Sequence, residues 1–312
     1  MSAGTAASGT DPGPWRPPIL SREFHGSLDE PLLKRLSPVR LWRMLRDDAR
    51  ELSFGRYVIE QFVTSVLRVR YQNSMLGLLW TLLHPLLMLT VLSVVFSRLL
   101  KYPMDRFSVF LFAGLLPWQF FQASVGNASV SLIRQQGLIR KINVNLMLFP
   151  VSEIATAATH MLFAFVAMFV IMLGFGVFGT EHVGAQLSVH LVLVPLGLVL
   201  LWVFTLGASL ALMTLTTFFR DMEHIISVAL QAMYFATPIF YPVEAVAGSR
   251  SLTLLMYANP LRWIFEFFHC GIYYHRWPAT EAWVVAPCAA VGMLLLGYSI
   301  YKRHEHEFIF RL

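Results

Sequence analysis

The chain has 312 residues, 56% hydrophobic and only 13% charged, with a net charge of +6, and that charged share is about half of what a soluble globular protein carries. A mean hydropathy of +0.60 with 25 Phe, 8 Trp and 10 Tyr excludes a soluble enzyme, a disordered chain and a disulfide-stapled secreted domain. Two cysteines, Cys270 and Cys288, are too few for a disulfide framework, and the basic residues, on no soluble domain, fit membrane orientation rather than nucleic acid.

Residues 1–38 hold Pro12, Pro14, Pro17, Pro18, Pro31 and Pro38 among Gly, Ser and charges. They read as a disordered, solvated tail with no apolar core of signal-peptide length. Residues 39–70 read as an amphipathic interface segment. In it Ile59, Phe62, Val63, Val66 and Leu67 recur at i, i+3, i+4, i+7 and i+8, with Glu60, Gln61, Thr64 and Arg68 on the other face. The Leu41–Glu51 stretch, with Trp42 and Leu45 between Arg43, Arg46 and Arg50, adds a shorter segment of the same kind.

Charge-free intervals then give the spans. They run Tyr71–Ser97, Phe107–Ile133, Ile154–Thr180, His182–Phe219 (with its span near Val189–Phe218), Ile225–Val243 and Ala282–Tyr301. A helix needs about 20 residues to cross the hydrocarbon, so six transmembrane helices are predicted between 71 and 304, in an all-α membrane protein. Residues 251–275 differ, carrying Asn259-Pro260 in the middle and charges at Arg262 and Glu266. Two short apolar pieces around a break predict a re-entrant helical hairpin before the last span; one ordinary span kinked at Pro260 is the other reading. Residues 305–312 read as a C-terminal tail. With both termini placed inside, the cytoplasmic side holds Arg56, Arg68, Arg70, Arg134, Arg140, Lys141, Arg220, Lys302, Arg303 and Arg311. The other side holds Arg98, Lys101, Arg106, Arg250, Arg262 and Arg276, and this bias sets the orientation.

The catalytic inventory is thin. There is no G-x-S-x-G, H-E-x-x-H or Cys-x-x-Cys, and none of the four lysines follows a glycine, so no Walker A loop exists. ATP, if used, binds another chain. His304-Glu305-His306-Glu307 reads as solvated tail rather than a metal site, because alternate residues on a helix point apart. His84 lies in the first span, where a bond to a neighbouring helix outweighs a ligand role. Asn127-Ala128-Ser129 matches a glycosylation sequon but sits inside the second span. A proton-coupled secondary transporter would need carboxylates within the spans, and the charge-free intervals have none. A membrane-bound transferase acting on lipid-linked sugars would need a His or carboxylate pair at the interface, and none stands out.

Three polar interruptions remain. Arg134–Pro150 is basic and ends at a proline able to start a helix, and Arg220-Asp221-Met222-Glu223-His224 separates spans four and five. Both are solvent loops or docking knobs for a soluble partner that pushes on the bundle. The third is an aromatic crowd running from Tyr234 to Trp277. It is either an interfacial belt or a ring-lined path on which sugar C–H faces slide.

Arg70-Tyr71-Gln72-Asn73-Ser74-Met75-Leu76-Gly77-Leu78-Leu79-Trp80, followed by Pro85, resembles the opening signature of the permease subunits of polysaccharide ABC exporters of the O-antigen and teichoic-acid type. Leu138-Ile139-Arg140-Lys141 is similar to that family's first coupling helix. Phe219–His224 and Thr237-Pro238-Ile239-Phe240-Tyr241 resemble its F-R-D-x-x-H and S-P-I-F-Y elements, and Asn259-Pro260 with Glu266 its outer-gate element. The resemblance covers about residues 50–305. It implies a homodimeric, non-enzymatic permease in the bacterial inner membrane, paired with two nucleotide-binding ATPase subunits that hold ATP and Mg. Its cargo would be a polysaccharide linked to a polyprenyl diphosphate. It also implies site roles: coupling by Arg134, Leu138, Arg140, Lys141, Arg220, Asp221, Glu223 and His224, and a substrate pathway along Tyr71, Trp80, Tyr234, Phe235, Phe240, Tyr241 and Trp263. The outer gate would comprise Asn259, Pro260, Arg262 and Glu266. Arg56, Arg68 and Arg70 stand where a diphosphate would enter, with anchoring to anionic lipid as the other reading.

Overall fold

A computed structural model describes residues 38–71, 107–141, 145–177, 188–246 and 248–311, with positions 79, 80, 83, 87, 88, 91 and 95. The proline-rich tail to residue 37, most of the predicted first span with His84, the 98–106 loop, and the side chains of Arg70 and Tyr71 lie outside the described residues. Among the described residues every regular element is helical.

Two helices precede the bundle, α1 (Pro38–Phe54) and α2 (Arg56–Tyr71). The long helix α3 (Phe107–Ser129) follows, then two single turns, α4 (Ser131–Arg134) and α5 (Gln136–Ile139). Helix α6 (Leu148–Val177) comes next, and a short 3-10 turn at Val189–Val192 leads into α7 (Leu193–Phe218). Helix α8 covers Met222–Ala236, α9 Arg250–Ala258, α10 Pro260–His269 and α11 Ala282–His304. The chain ends in a 3-10 turn, Glu305–Glu307, and the single turn α12 (Phe308–Arg311).

Four of these helical stretches, Val109–Ser129, Leu148–Phe169, Val189–Phe218 and Ala282–Glu307, are long and apolar enough to cross a membrane. The fifth predicted interval holds only α8. Its 15 residues reach about 22 Å at 1.5 Å per residue, short of the roughly 30 Å of hydrocarbon. The physical reason is Thr237-Pro238. A residue before proline is pushed to extended backbone, and Thr237 sits at ψ 136, so the helix ends seven residues before the charge-free interval does.

The 251–275 region divides at the expected place. Asn259 is extended, its Oδ1 accepts from the Leu261 backbone N–H at 3.0 Å, and Pro260 occupies the first helical position of α10. The two halves are unlike. In α9 only Met256 is buried, whereas α10 buries Leu261, Trp263, Ile264, Phe265, Phe267 and Phe268 in the main core. Helix α10 runs on through a π-turn, Cys270–Tyr274, which closes at His275 with φ 50.

Helices α7 and α11 form the tightest pair. A Cβ on Gly297 would lie 1.9 Å from the Gly207 carbonyl oxygen, and one on Gly207 2.3 Å from that of Met293, so the two backbones touch. A second apolar cluster sits at the basal end, where α1 meets the end of α11. Leu132, Met147, Phe149, Met213, Tyr301 and Phe308 build it, with Leu45, Leu138 and Phe218 packed against it.

The C-terminal residues depart from the expected solvated tail. Phe308 is fully buried, its ring 5.8 Å from Tyr301 and 6.2 Å from Phe218. Lys302 Nζ lies 2.8 Å from both Asp48 Oδ2 and Glu305 Oε2, and the Tyr298 hydroxyl donates to Asp48 Oδ2 at 2.7 Å. Because 304–307 is a tight 3-10 turn, residues three apart meet: His304 Nδ1 is 3.3 Å from Glu307 Oε1.

Candidate functional site: a ring-and-amide cavity

Helices α3, α6 and α8 wall a cavity of about 1120 Å³, which Trp80 and Met88 also line. Leu115, Gln119, Gln122, Gly126 and Ser129 line it from α3 at i, i+4, i+7, i+11 and i+14, one face of the helix. Glu223, Ser227, Gln231 and Tyr234 do the same from α8 at i, i+4, i+8 and i+11. Ala157, His160, Met161 and Ala164 close the third wall from α6.

Each wall is held from behind. Only Ile226 and Leu230 of α8 are buried, a narrow stripe that packs in the main core and edges the cavity beside the Glu223–Tyr234 face. Trp118 is buried against the core, and its indole Nε1 donates to Gln122 Oε1 at 2.9 Å. Its ring lies 5.5 Å from Tyr234 and 5.6 Å from Phe121. Tyr234 continues the series to Phe240 at 5.1 Å, and Phe240 to Tyr241 at 5.6 Å. A chain of rings therefore leads from the cavity to the turn after α8.

The expected pathway residues separate into groups. Trp80 and Tyr234 line the cavity. Phe235 is 58% exposed beside them on α8 and is no part of the lining. Phe240 packs on the Phe107, Phe110 and Leu111 cluster, and the Tyr241 hydroxyl donates to the Phe235 carbonyl. Trp263 is 5% exposed, its Nε1 donating to the Tyr257 carbonyl at 3.3 Å. Phe265, Phe267 and Phe268 are core. The aromatic crowd is thus neither one belt nor one path.

The predicted coupling residues gather at the basal end. Arg134, Arg140, Lys141, Arg220, Asp221, Glu223 and His224 are exposed, and Leu138 is half-buried in the same basal cluster as Phe218. Glu223 stands at both places, next to the Arg220–Asp221 turn and on the cavity wall. Asn145, absent from the sequence expectations, anchors this end: its Oδ1 accepts from Met147 N at 3.1 Å and its Nδ2 donates to Glu51 Oε2 at 3.0 Å. Of the proposed diphosphate arginines, Arg56 pairs with Glu60 at 3.0 Å, and Arg68 is exposed. The Phe62 ring of α2 meets Phe149 edge-on at 5.9 Å, so its apolar stripe packs on α6.

At the far end Glu266 Oε1 accepts from the Ala279 backbone N–H at 2.9 Å, and Arg262 stacks on Tyr257 and Trp263 instead of pairing with Glu266. Asn259 Nδ2 donates to the Ala236 carbonyl and Thr237 Oγ1 at 3.1 and 3.0 Å, tying the break to the end of α8. Sequence reasoning missed Trp118, Gln119, Gln122, His160 and Gln231. The available signal was amides recurring at helical spacing within charge-free intervals.

The profile of the ABC-2 type transporter family matches residues 58–273. The chain is 29% identical over 259 residues to the O-antigen export system permease protein RfbA of Myxococcus xanthus, covering 83% of this chain and 96% of that protein. It is 31% identical over 195 residues to an RfbA of Klebsiella pneumoniae, covering 62% and 72%. To the polysialic acid transport protein KpsM of Escherichia coli it is 27% identical over 214 residues, covering 68% and 79%.

Proposed function

This chain belongs to the ABC-2 type transporter family as the membrane subunit of a polysaccharide ABC transporter, and from that premise we propose that it exports a glycan carried on a polyprenyl diphosphate. ATP hydrolysis, with Mg, occurs on two separate nucleotide-binding subunits. A second copy of the chain closes the cavity across a two-fold axis. The basal end, with both termini, faces the cytoplasm of a bacterial cell, and residues 71–97, together with α8 completed by the buried non-helical stretch 237–239 beyond it, bring the span count to six. Helices α9 and α10 form the re-entrant pair, with Asn259, Pro260, Arg262 and Glu266 at the outer gate.

The observation that carries this reading is the cavity wall, where Trp80 and Tyr234 alternate with Gln119, Gln122 and Gln231. Flat rings accept the C–H faces of sugars, the amides of Gln119 and Gln231 can meet hydroxyls in either hydrogen-bond sense, and Gln122 offers its NH₂. Few charges and many neutral donors suit a long polymer that must be gripped weakly and released repeatedly. Glu223 and Tyr234 share α8 and both line the cavity, which supports a coupling in which a push by the ATPase at Asp221, just ahead of α8, is carried along that helix into the path. Arg56, Arg68 and Arg70 receive the diphosphate as it leaves the inner leaflet.

The test is reconstitution with the partner ATPase. Asp221→Ala, or charge reversal at Arg140 with Lys141, is expected to uncouple ATP turnover from export while membrane insertion stays intact. Normal export in both variants defeats the coupling assignment. ATP turnover indifferent to every lipid-linked glycan defeats the function.

A further inference from the structure

Charged groups buried in this bundle are answered by partners: Asp48 by Lys302 and Tyr298, Glu305 by Lys302. Arg262 is the contrast. It is the third residue of α10 and only 7% exposed, yet its Nε and Nη1 make no hydrogen bond. Among the described residues no carboxylate pairs with it, and Glu266, one turn on, is engaged by Ala279 N. The guanidinium carbon lies 3.8 Å from the Tyr257 ring centroid and 4.2 Å from that of Trp263.

Two rings set nearly at right angles to each other therefore contact the guanidinium, and cation–π contact leaves its Nε and Nη1 N–H groups without an acceptor. Each forked edge of a guanidinium combines one of these donors with Nη2, and such an edge matches the two oxygens of a carboxylate or phosphate. The surroundings are fixed, since Trp263 is bonded to the Tyr257 carbonyl and Asn259 to Ala236 and Thr237. One wall is open to movement: Tyr257 is 50% exposed. An unpaired buried cation is unfavourable unless something completes it, and a purely packing role at this position would be served better by an apolar side chain of the same length.

We propose that Arg262 is a binding site for a carboxylate or phosphate group, at the break between α9 and α10. The anion takes a forked edge of the guanidinium, while the Tyr257 and Trp263 rings hold the group by cation–π contact. The group comes from an acidic sugar of the cargo or from a lipid headgroup. The first source rests on the export reading above; binding itself does not.

The test uses the full chain in phosphatidylcholine nanodiscs, with sodium phosphate and glucuronate as probes and glucose as the neutral control at matched ionic strength. Both anions are expected to raise the melting temperature by about 2–4 °C at saturation, with no response to glucose. Arg262→Met is expected to abolish the response and, without anion, to melt no lower than the parent. If that variant does not fold, Arg262→Lys decides, because a point charge without the fork weakens binding about tenfold. A clearly larger response to glucuronate than to phosphate in phosphatidylcholine assigns the acidic sugar. A stabilisation of the parent over Arg262→Met that arises only in phosphatidylglycerol nanodiscs assigns the headgroup. No anion-specific stabilisation of the parent in either lipid, or an equal response in Arg262→Met, overturns the proposal. The measurement needs neither ATP nor the ATPase, so its failure leaves export standing, and failed export leaves it readable.

Discussion

Helices α7 and α8 are consecutive and both rich in apolar residues, yet they sit in opposite environments. Helix α7 buries residues along its whole length and meets α11 backbone to backbone at Gly207 and Gly297. Helix α8 buries only Ile226 and Leu230, turns a polar face to the cavity, and leaves Ile225, Val228 and Phe235 more than half exposed. The difference teaches that in a lipid-facing chain small residues mark the fixed interface, since apolar area gains nothing by leaving lipid for protein. The scaffold is the glycine pair; α8 is docked by a two-residue stripe.

The contrast breaks first if Gly207→Val is tolerated. Nothing at that crossing can yield but backbone, so the expected loss exceeds about 3 kcal/mol, seen as absence of a monodisperse folded peak. Gly126→Ala, on the cavity face of α3 with nothing within 4 Å, is the control and should gain up to about 1 kcal/mol in a melt. Next in size is Lys302→Met. Asp48 and Lys302 side chains are 3% and 9% exposed, so removing one partner strands a buried charge, an expected loss of about 3 kcal/mol. Asp48→Leu with Lys302→Met should recover only part of it in thermal melts, because Glu305 also loses Lys302.

Tyr234→Ala sharpens the comparison from the α8 side. A ring contact is worth about 1 kcal/mol, so export of long glycans should fall roughly fivefold while the melting temperature moves little. A drop in folded yield with unchanged specific export would make the ring structural. Smallest is Val228→Ser on the exposed face, expected within about 0.5 kcal/mol in detergent. The same change on α7 at Leu201, fully buried, should cost several times more.

Much of this fold was legible because a charge in a lipid-embedded chain is conspicuous. Arg220 and Asp221 separate α7 from α8, and Asn259-Pro260 splits α9 from α10, both as the sequence predicts. What stayed hidden depends on geometry that hydropathy does not report. The end of α8 at Ala236 follows from the backbone of one residue, Thr237, before a proline. Burial of Phe308 needs the 3-10 turn that brings the chain back onto Phe218. The cavity amides were illegible for another reason: Gln119 and Gln122 carry no formal charge, so a charge-free interval absorbs them silently. The aromatic crowd misled by proximity in sequence, because α10 turns Phe265, Phe267 and Phe268 inward while α8 carries Tyr234 on its cavity face.

The bond from Trp118 to Gln122 has one more consequence. An indole N–H can only donate, so it fixes which way round the amide stands. With its oxygen engaged by the indole, Gln122 has its NH₂ to present at the cavity it lines. That makes the position a donor with a defined sense, suited to ring and glycosidic oxygens more than to hydroxyl protons. On the export reading proposed above, this position would answer a sugar oxygen and not a sugar proton.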